Sequence, residues 1–425
     1  MPSPLRFLLP VLAATAAAAA PAPAGVGVTP PRDVIIFIAD GWGFAHVAAA
    51  GLYAHGRAGG FVWDGFPARL SMTTGSRGAD GPVTDSAAAA TAMSTGCKSR
   101  NGALGIDATG DRAEHLLEVA RQSGRATGVV TTVPLCHATP AGFVVHAPSR
   151  DDYAGIAREM LESTGLAVIM GGGHPWFDRD GARRDRPRTF RFVGGESLWD
   201  SLAAGLAGND ADGDGTRDLW TLVDTRDGFR ALREGVAPRR VLGVAPVAET
   251  LQQERQGDTD AAPYAAPLTA TVPDLATMAL GALNVLDADP DGLALVIEGG
   301  AVDWAGHDQQ SGRMIEELLA FHDAVAEVLA WLDRTGRREA ALVIVTGDHE
   351  TGGLELAANA GARSRAGRLP AMRWTSTGHT ASPVPFFATG PGSEDFTARG
   401  RAADGSPGTI IDNTDLGGVV KRLLR

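Results

Sequence analysis

The chain has 425 residues, 44% of them apolar and 21% charged, with a net charge of −12. This is the composition of an ordinary globular protein long enough for a large core, and the acidic balance argues against a general nucleic-acid-binding surface. Lys98 and Lys421 are the only lysines, so nearly all positive charge is arginine, which stays charged at alkaline pH.

The first residues read as a signal peptide. Arg6 precedes a small-residue apolar run from Phe7 to Ala20, and Ala22-Pro23-Ala24 offers a cleavage site before Gly25. The run is shorter than a membrane-spanning helix. Residues 1–24 are therefore expected to be removed on export, leaving no membrane span in a periplasmic or secreted mature chain. The two cysteines, Cys97 and Cys136, leave one bridge and two free thiols equally open.

Val34 to Ile38 is a continuous β-branched and aromatic run that predicts a buried parallel strand. Asp40 stands at its carboxyl end, ahead of Gly41-Trp42-Gly43. Open α/β sheets bind ligands at that edge, which makes Asp40 a candidate metal ligand. Further on, Thr84-Asp85-Ser86 precedes an Ala-rich run that predicts a helix capped by Asp85 or Ser86. The positive end of a helix suits an anion, and a serine that attacks one. Ser86 lacks a Gly-x-Ser-x-Gly elbow, which argues against an α/β-hydrolase triad.

Gly102 to Asp107 reads as a loop, Glu114 to Gln122 as a helix and Thr127 to Val133 as a second buried strand. That strand leads to His137-Ala138-Thr139-Pro140, where Pro140 is expected to hold Thr139 extended. Arg150 is expected to open the next helix, either clamping a phosphate or sulfate with its forked donors or pairing with Asp151 or Asp152. Leu166 to Met170 is a third strand. Residues 174–266 read as an irregular insertion of loops and short helices over the core. Within it, the Asp-rich stretch 210–218 resembles half a calcium loop, but Thr221 occupies the position a Glu should hold, which favours a polar turn.

Ala270 to Leu286 reads as a helix and Leu293 to Ile297 as a strand ending in Glu298. Asp303 and His307 follow, four apart on one helical face. Glu316 to Arg334 is an amphipathic helix whose His322 has no evident partner. Ala340 to Thr346 is a strand that leads to Asp348 and His349. His379 lies in a loop, Val384 to Thr389 is a late strand, and Asp412 to Leu424 is a closing helix. The alternation predicts an α/β fold: a doubly wound, mostly parallel sheet with helices on both faces.

Four strand ends thus deliver acids, histidines and a threonine to one sheet edge. Mixed Asp and His ligands suit zinc, and all-oxygen sets suit magnesium. Two zinc ions close together can clamp an in-line displacement for which Ser86 is a sensible nucleophile.

The ordered set of motifs resembles the alkaline phosphatase family over nearly all of residues 25–425. It comprises Ile38-Ala39-Asp40-Gly41-Trp42-Gly43, Thr84-Asp85-Ser86-Ala87-Ala88, Asn101-Gly102-Ala103-Leu104-Gly105, His137-Ala138-Thr139-Pro140-Ala141, Glu298-Gly299-Gly300 and Thr346-Gly347-Asp348-His349-Glu350-Thr351-Gly352-Gly353. The resemblance implies hydrolysis of small-molecule phosphate monoesters through a phosphoserine at Ser86. It implies one zinc site at Asp303, His307 and His379, a second at Asp40, Asp348 and His349, and a magnesium site at Asp40, Thr139 and Glu298. It assigns Arg150 to two phosphate oxygens and makes a homodimer the expected assembly. His137 and Trp304 stand where relatives vary; a nitrogen ligand at His137 would draw softer ions. A sulfatase would need Cys-x-Pro-x-Arg, whereas Cys97 is followed by Lys98-Ser99-Arg100. The remaining rivals are a phosphodiesterase, which would not need Thr139 and Glu298, and a non-catalytic metal- or phosphate-binding protein, which should have lost Ser86 or a ligand.

Overall fold

The computed structural model describes residues 30–78, 81–363, 365–406 and 408–425; the leader read at 1–24 lies outside them. The apolar run at the start of the chain forms β1 (Asp33–Ala39), buried along its whole length. Such a strand needs cover on both faces, and it lies inside a ten-stranded sheet. The other strands, in chain order, are β2 (Ala68–Thr73), β3 (Ala126–Pro134), β4 (Val168–Gly172), β5 (Thr221–Val223), β6 (Val241–Val244), β7 (Leu293–Gly299), β8 (Ala341–Thr346), β9 (Val384–Thr389) and β10 (Ile410–Asp412). Their spatial order is β10-β2-β9-β8-β1-β7-β3-β4-β6-β5. β9 runs against both its neighbours, β8 and β2, and every other pairing in the sheet is parallel.

Helices gather in two groups. The long helix Ser311–Arg334 packs on Phe44–His55, Leu275–Leu286 and Ala301–His307, while Ser86–Thr95 packs on Ala138–Ala141 and Asn413–Leu424. Trp42, two residues beyond Asp40, is buried edge-on against Trp63 and Phe321, with ring centres 5.5 and 5.6 Å away. Such contacts contribute about 0.5–1.5 kcal/mol each and anchor the turn that carries Asp40.

Several expectations need correction. Residues 174–266 are not simply laid over the core, because β5 and β6 come from that stretch and complete the sheet's edge. Thr139 is not extended but helical, in Ala138–Ala141. Pro140 falls in the first turn, where its missing N–H removes no hydrogen bond, so the steric bias of the preceding residue is overridden. Arg150 does not open a helix; the next one is Tyr153–Glu162, capped by Asp152, whose carboxylate accepts the Gly155 N–H at 3.0 Å. The helix read from Ala270 begins at Leu275, because Pro273 and the capping carboxylate of Asp274 stop it there. Both cysteines are free thiols, Cys97 exposed and Cys136 buried. Among the described residues no helix is long and apolar enough to cross a membrane.

Candidate active site

Four adjacent strands, β8, β1, β7 and β3, bring their carboxyl ends to one edge. At the end of β7 lies Glu298, and beyond the strand ends lie Asp348 and His349, Asp40, Asp303 with His307, and His137 with Thr139. The helix Ser86–Thr95 starts beside them. Its cap is Asp85: one carboxylate oxygen accepts the Ala88 N–H at 2.9 Å, and the other accepts the Gly102 N–H at 2.9 Å. That second oxygen also accepts from Arg150 Nη1 at 3.1 Å. One acid therefore both starts the helix and aims the guanidinium. Burial alone would lower the Arg150 pKa, but Asp85 outweighs it and raises it.

The inner cluster is fully buried. His349 Nε2 lies 3.1 Å from Ser86 Oγ, 3.2 Å from Asp348 Oδ2 and 3.5 Å from Asp40 Oδ1. Thr139 donates its hydroxyl to Asp40 Oδ2 at 3.3 Å, and Thr131 donates a short bond to Glu298. Asp40 Oδ1, Glu298 Oε1 and Asp348 Oδ2 have no hydrogen-bond partner among the described residues. Burial first, and the neighbouring carboxylates after it, push Asp40 well above the carboxylate range and Glu298 up to about 7. Burial likewise pushes Asp348 up to about 6 and drives His349 well down.

The rim cluster is more open. Asp303 Oδ1 lies 3.3 Å from His307 Nε2 and 3.4 Å from His379 Nε2, and the two ring nitrogens are 3.1 Å apart. Each ring's other nitrogen meets a backbone carbonyl, Thr377 at 2.6 Å and Thr84 at 2.9 Å. A proton placed on Nδ1 by those carbonyls leaves both Nε2 atoms aimed at one point, as metal-binding histidines are held. The bond to Asp303 lifts His307 to about 9; burial would raise Asp303, yet its bonds to His307 and His379 hold it well below the usual range.

Thr351 joins the clusters. Its hydroxyl donates to Asp303 Oδ1 at 2.5 Å and lies 3.3 Å from His349 Nδ1. Gly41 spaces them, at φ +76° with its N–H donating to Asp348 Oδ1 at 3.0 Å; a Cβ there would come within 2.6 Å of Asp303 Cα. Ser86, His137, Arg150, Asp303, Trp304 and His307 line an open cavity of about 410 Å³ over this floor.

The Ser86–His349 contact does not make a serine–histidine–acid triad. In a triad the acid binds the ring nitrogen opposite the serine. Here both carboxylates face Nε2, the same nitrogen that faces Ser86. Converging oxygens and nitrogens with unmatched buried carboxylates are instead what a divalent cation satisfies. Two converging ligand sets lie here, Asp40-Asp348-His349, which carries unmatched oxygens, and Asp303-His307-His379.

A model of the family described as alkaline phosphatase matches residues 31–368. This chain belongs to the alkaline phosphatase family. Alkaline phosphatase 4 of Bacillus subtilis is 26% identical over 93% of this chain and 89% of its own length. The streptomycin-6-phosphate phosphatase of Streptomyces griseus is 32% identical, over 94% and 91%. The solved alkaline phosphatase of the Antarctic bacterium TAB5 superposes with a TM-score of 0.67 at 25% identity, over 94% of this chain and 99% of its own. A variant of that Antarctic enzyme, with aspartate in place of a histidine, was solved with magnesium in its M3 site. As an alkaline phosphatase family enzyme, the chain is a metal-binding hydrolase acting on phosphate esters.

Several positioning groups escape a reading of the sequence: Thr131, Thr351 and the carbonyls of Thr84 and Thr377. Thr131 sits opposite Glu298 in the β3–β7 register, so only a known strand pairing would reveal it. The carboxylates of Asp210, Asp212 and Asp218 do cluster, but at the surface, where they accept turn N–H groups such as those of Gly213 and Ala211.

Proposed function

We propose that this alkaline phosphatase hydrolyses phosphate monoesters through a phosphoserine at Ser86, with two zinc ions and one magnesium ion as cofactors. The observation that carries this reading is the set of unpartnered buried carboxylate oxygens around Ser86 and His349. Asp303, His307 and His379 would hold one zinc, Asp40, Asp348 and His349 the other. Asp40, Thr139 and Glu298, an all-oxygen set, would hold magnesium. Bound there, the cations supply Lewis acidity that stabilises developing negative charge and lowers the pKa of a serine hydroxyl beside them.

The protein's own part is positioning. Arg150, aimed by Asp85, binds two phosphate oxygens with its planar fork. Ser86 Oγ, at the first position of its helix, forms the bond to phosphorus as the ester oxygen departs with the alcohol. Helix N–H groups near Ser86 favour the anionic phosphoryl group. Water then cleaves the phosphoserine, releasing phosphate and restoring the hydroxyl. The relative named for streptomycin 6-phosphate supports reading the phosphate as the fixed part of the substrate. We further propose residues 25–425 as one catalytic domain that works outside the cytoplasm as a homodimer.

The test compares an aryl phosphate monoester with the matching diester at alkaline pH, before and after chelation and after return of zinc and magnesium. Monoester turnover that chelation abolishes and the ions restore is expected, with phosphate trapped on Ser86 by acid quench. A diester preference would move the chain to the phosphodiesterases. Metal binding without turnover of either ester would make it a binding protein.

A further inference from the structure

Asp308 directly follows His307 and lines two cavities: the one over Ser86, and a second of about 460 Å³ beside it. Every residue lining the second cavity has a polar side chain except Gly257. Gln253 is buried in its wall. Its Nε2 donates to Asp308 Oδ2 at 3.3 Å and to Gln310 Oε1 at 3.1 Å, which fixes the amide's orientation. Its Oε1 is then left with no partner among the described residues. A buried acceptor without a donor is costly, and Gln253 lines a cavity that shares Asp308 with the cavity over the reacting centre.

We propose that this second cavity is the subsite for the departing alcohol, and that it selects polyhydroxylated alcohols, sugars or cyclitols, as the esterified group. The proposal rests on the phosphomonoesterase reading of the Ser86 site. Gln253 Oε1 and the Glu254 carboxylate accept hydrogen bonds, and the exposed Arg179 donates them. A hydroxyl group does both, and a polyol presents several. The Arg255 guanidinium is already spent on the carbonyls of Pro267, Gln252 and Ala266 and on Glu316, which leaves Arg179 to face Glu254 and Asp308. A site built to meet hydroxyls discriminates against an alcohol that lacks them, because its polar groups then stay unmet.

The experiment uses the full chain loaded with zinc and magnesium. It compares kcat/KM for glucose 6-phosphate, phenyl phosphate and ethanolamine phosphate in the wild type and in Gln253→Ala and Glu254→Ala. The glucose 6-phosphate to phenyl phosphate ratio is expected to fall about tenfold in Gln253→Ala, the loss of one neutral hydrogen bond, and by more than that in Glu254→Ala, where the acceptor is charged. Glu254→Ala guards against misfolding at Gln253, because no side-chain bond ties Glu254 to Asp308 or Gln310. Equal ratios in wild type and both variants, with phenyl phosphate still hydrolysed, would overturn the subsite and leave the phosphatase reading standing. A fall confined to ethanolamine phosphate would overturn the polyol in favour of a cationic group. No hydrolysis of any ester would take down both readings.

Discussion

Strand β1 begins on a buried aspartate and is followed directly by another, and the two are treated differently. Asp33, at the amino end, is gripped by Arg337, whose Nε and Nη2 donate to its two oxygens at 2.8 and 2.6 Å. Asp40, just past the carboxyl end, has no such partner; among the described residues no arginine or lysine pairs with it, Glu298 or Asp348. Both ends are equally dry. The chain therefore supplies its own cation where the acid is structural. Where the acids face Ser86 it supplies none, although a buried carboxylate left unpaired is strongly unfavourable. The difference marks which end is meant for an ion from outside.

The largest effect should come from removing the chemistry and keeping the charges. Ser86→Ala is expected to lower turnover about a thousandfold or more, with zinc and magnesium content unchanged by elemental analysis. Loss of metal in that variant would mean that the serine, and not the acids, holds the ions. Next, Arg337→Ala should destabilise the chain by about 3–5 kcal/mol in denaturant, to the same degree with and without metals. Rescue by added zinc would erase the contrast between the two ends. Thr351→Val should weaken metal retention about 10–100-fold in chelator competition, because it releases both Asp303 and His349. Thr131→Val should affect only the ion at Glu298.

The smallest signal is a slope of Tm with pH in the metal-free chain. Burial raises Glu298 from 4.5 to about 7 and Asp348 from 3.8 to about 6. Each binds its proton more tightly folded than unfolded, so its stabilisation is full below its unfolded value and is lost as pH rises through the folded one. These two carboxylates should thus cost stability between about pH 4 and 7, while His349, held well down by burial, works in the opposite direction as pH rises to its ordinary value. His307, raised from 6.5 to about 9 by its bond to Asp303, should lose its share across that later interval. Restoring the ions should flatten both slopes. A metal-free chain whose slope between about pH 4 and 7 is unchanged by Glu298→Gln would contradict the charge accounting.

Local patterns made much of this legible. The apolar run of β1, the cap before Ser86 and the i, i+4 spacing of Asp303 and His307 each carry a short-range signal, and the structure brings those residues to one edge. What stayed hidden is long-range or very short. β5 and β6 have three and four residues, too few to show a period against the polar stretch around them. β2 went unplaced, since Arg69 and Ser71 alternate with its apolar residues in only six positions. Arg150 found Asp85, 65 residues away, and not its neighbours Asp151 or Asp152. Thr139 shows a steric preference yielding to a first-turn position. The support that Thr131 and Thr351 give spans 167 and 48 residues of sequence, which no window of one chain reveals.

Gly41 has a consequence of its own. With Asp303 and Thr351 pressed against the place its side chain would fill, the backbone there works as a feeler gauge between the two clusters. Neither cluster can drift apart from the other without moving β1 itself. Divergence of this enzyme toward other esters therefore has little freedom in the floor of the site. It has far more at the exposed positions of the polar walls around Asp308, such as Arg179 and Gln256.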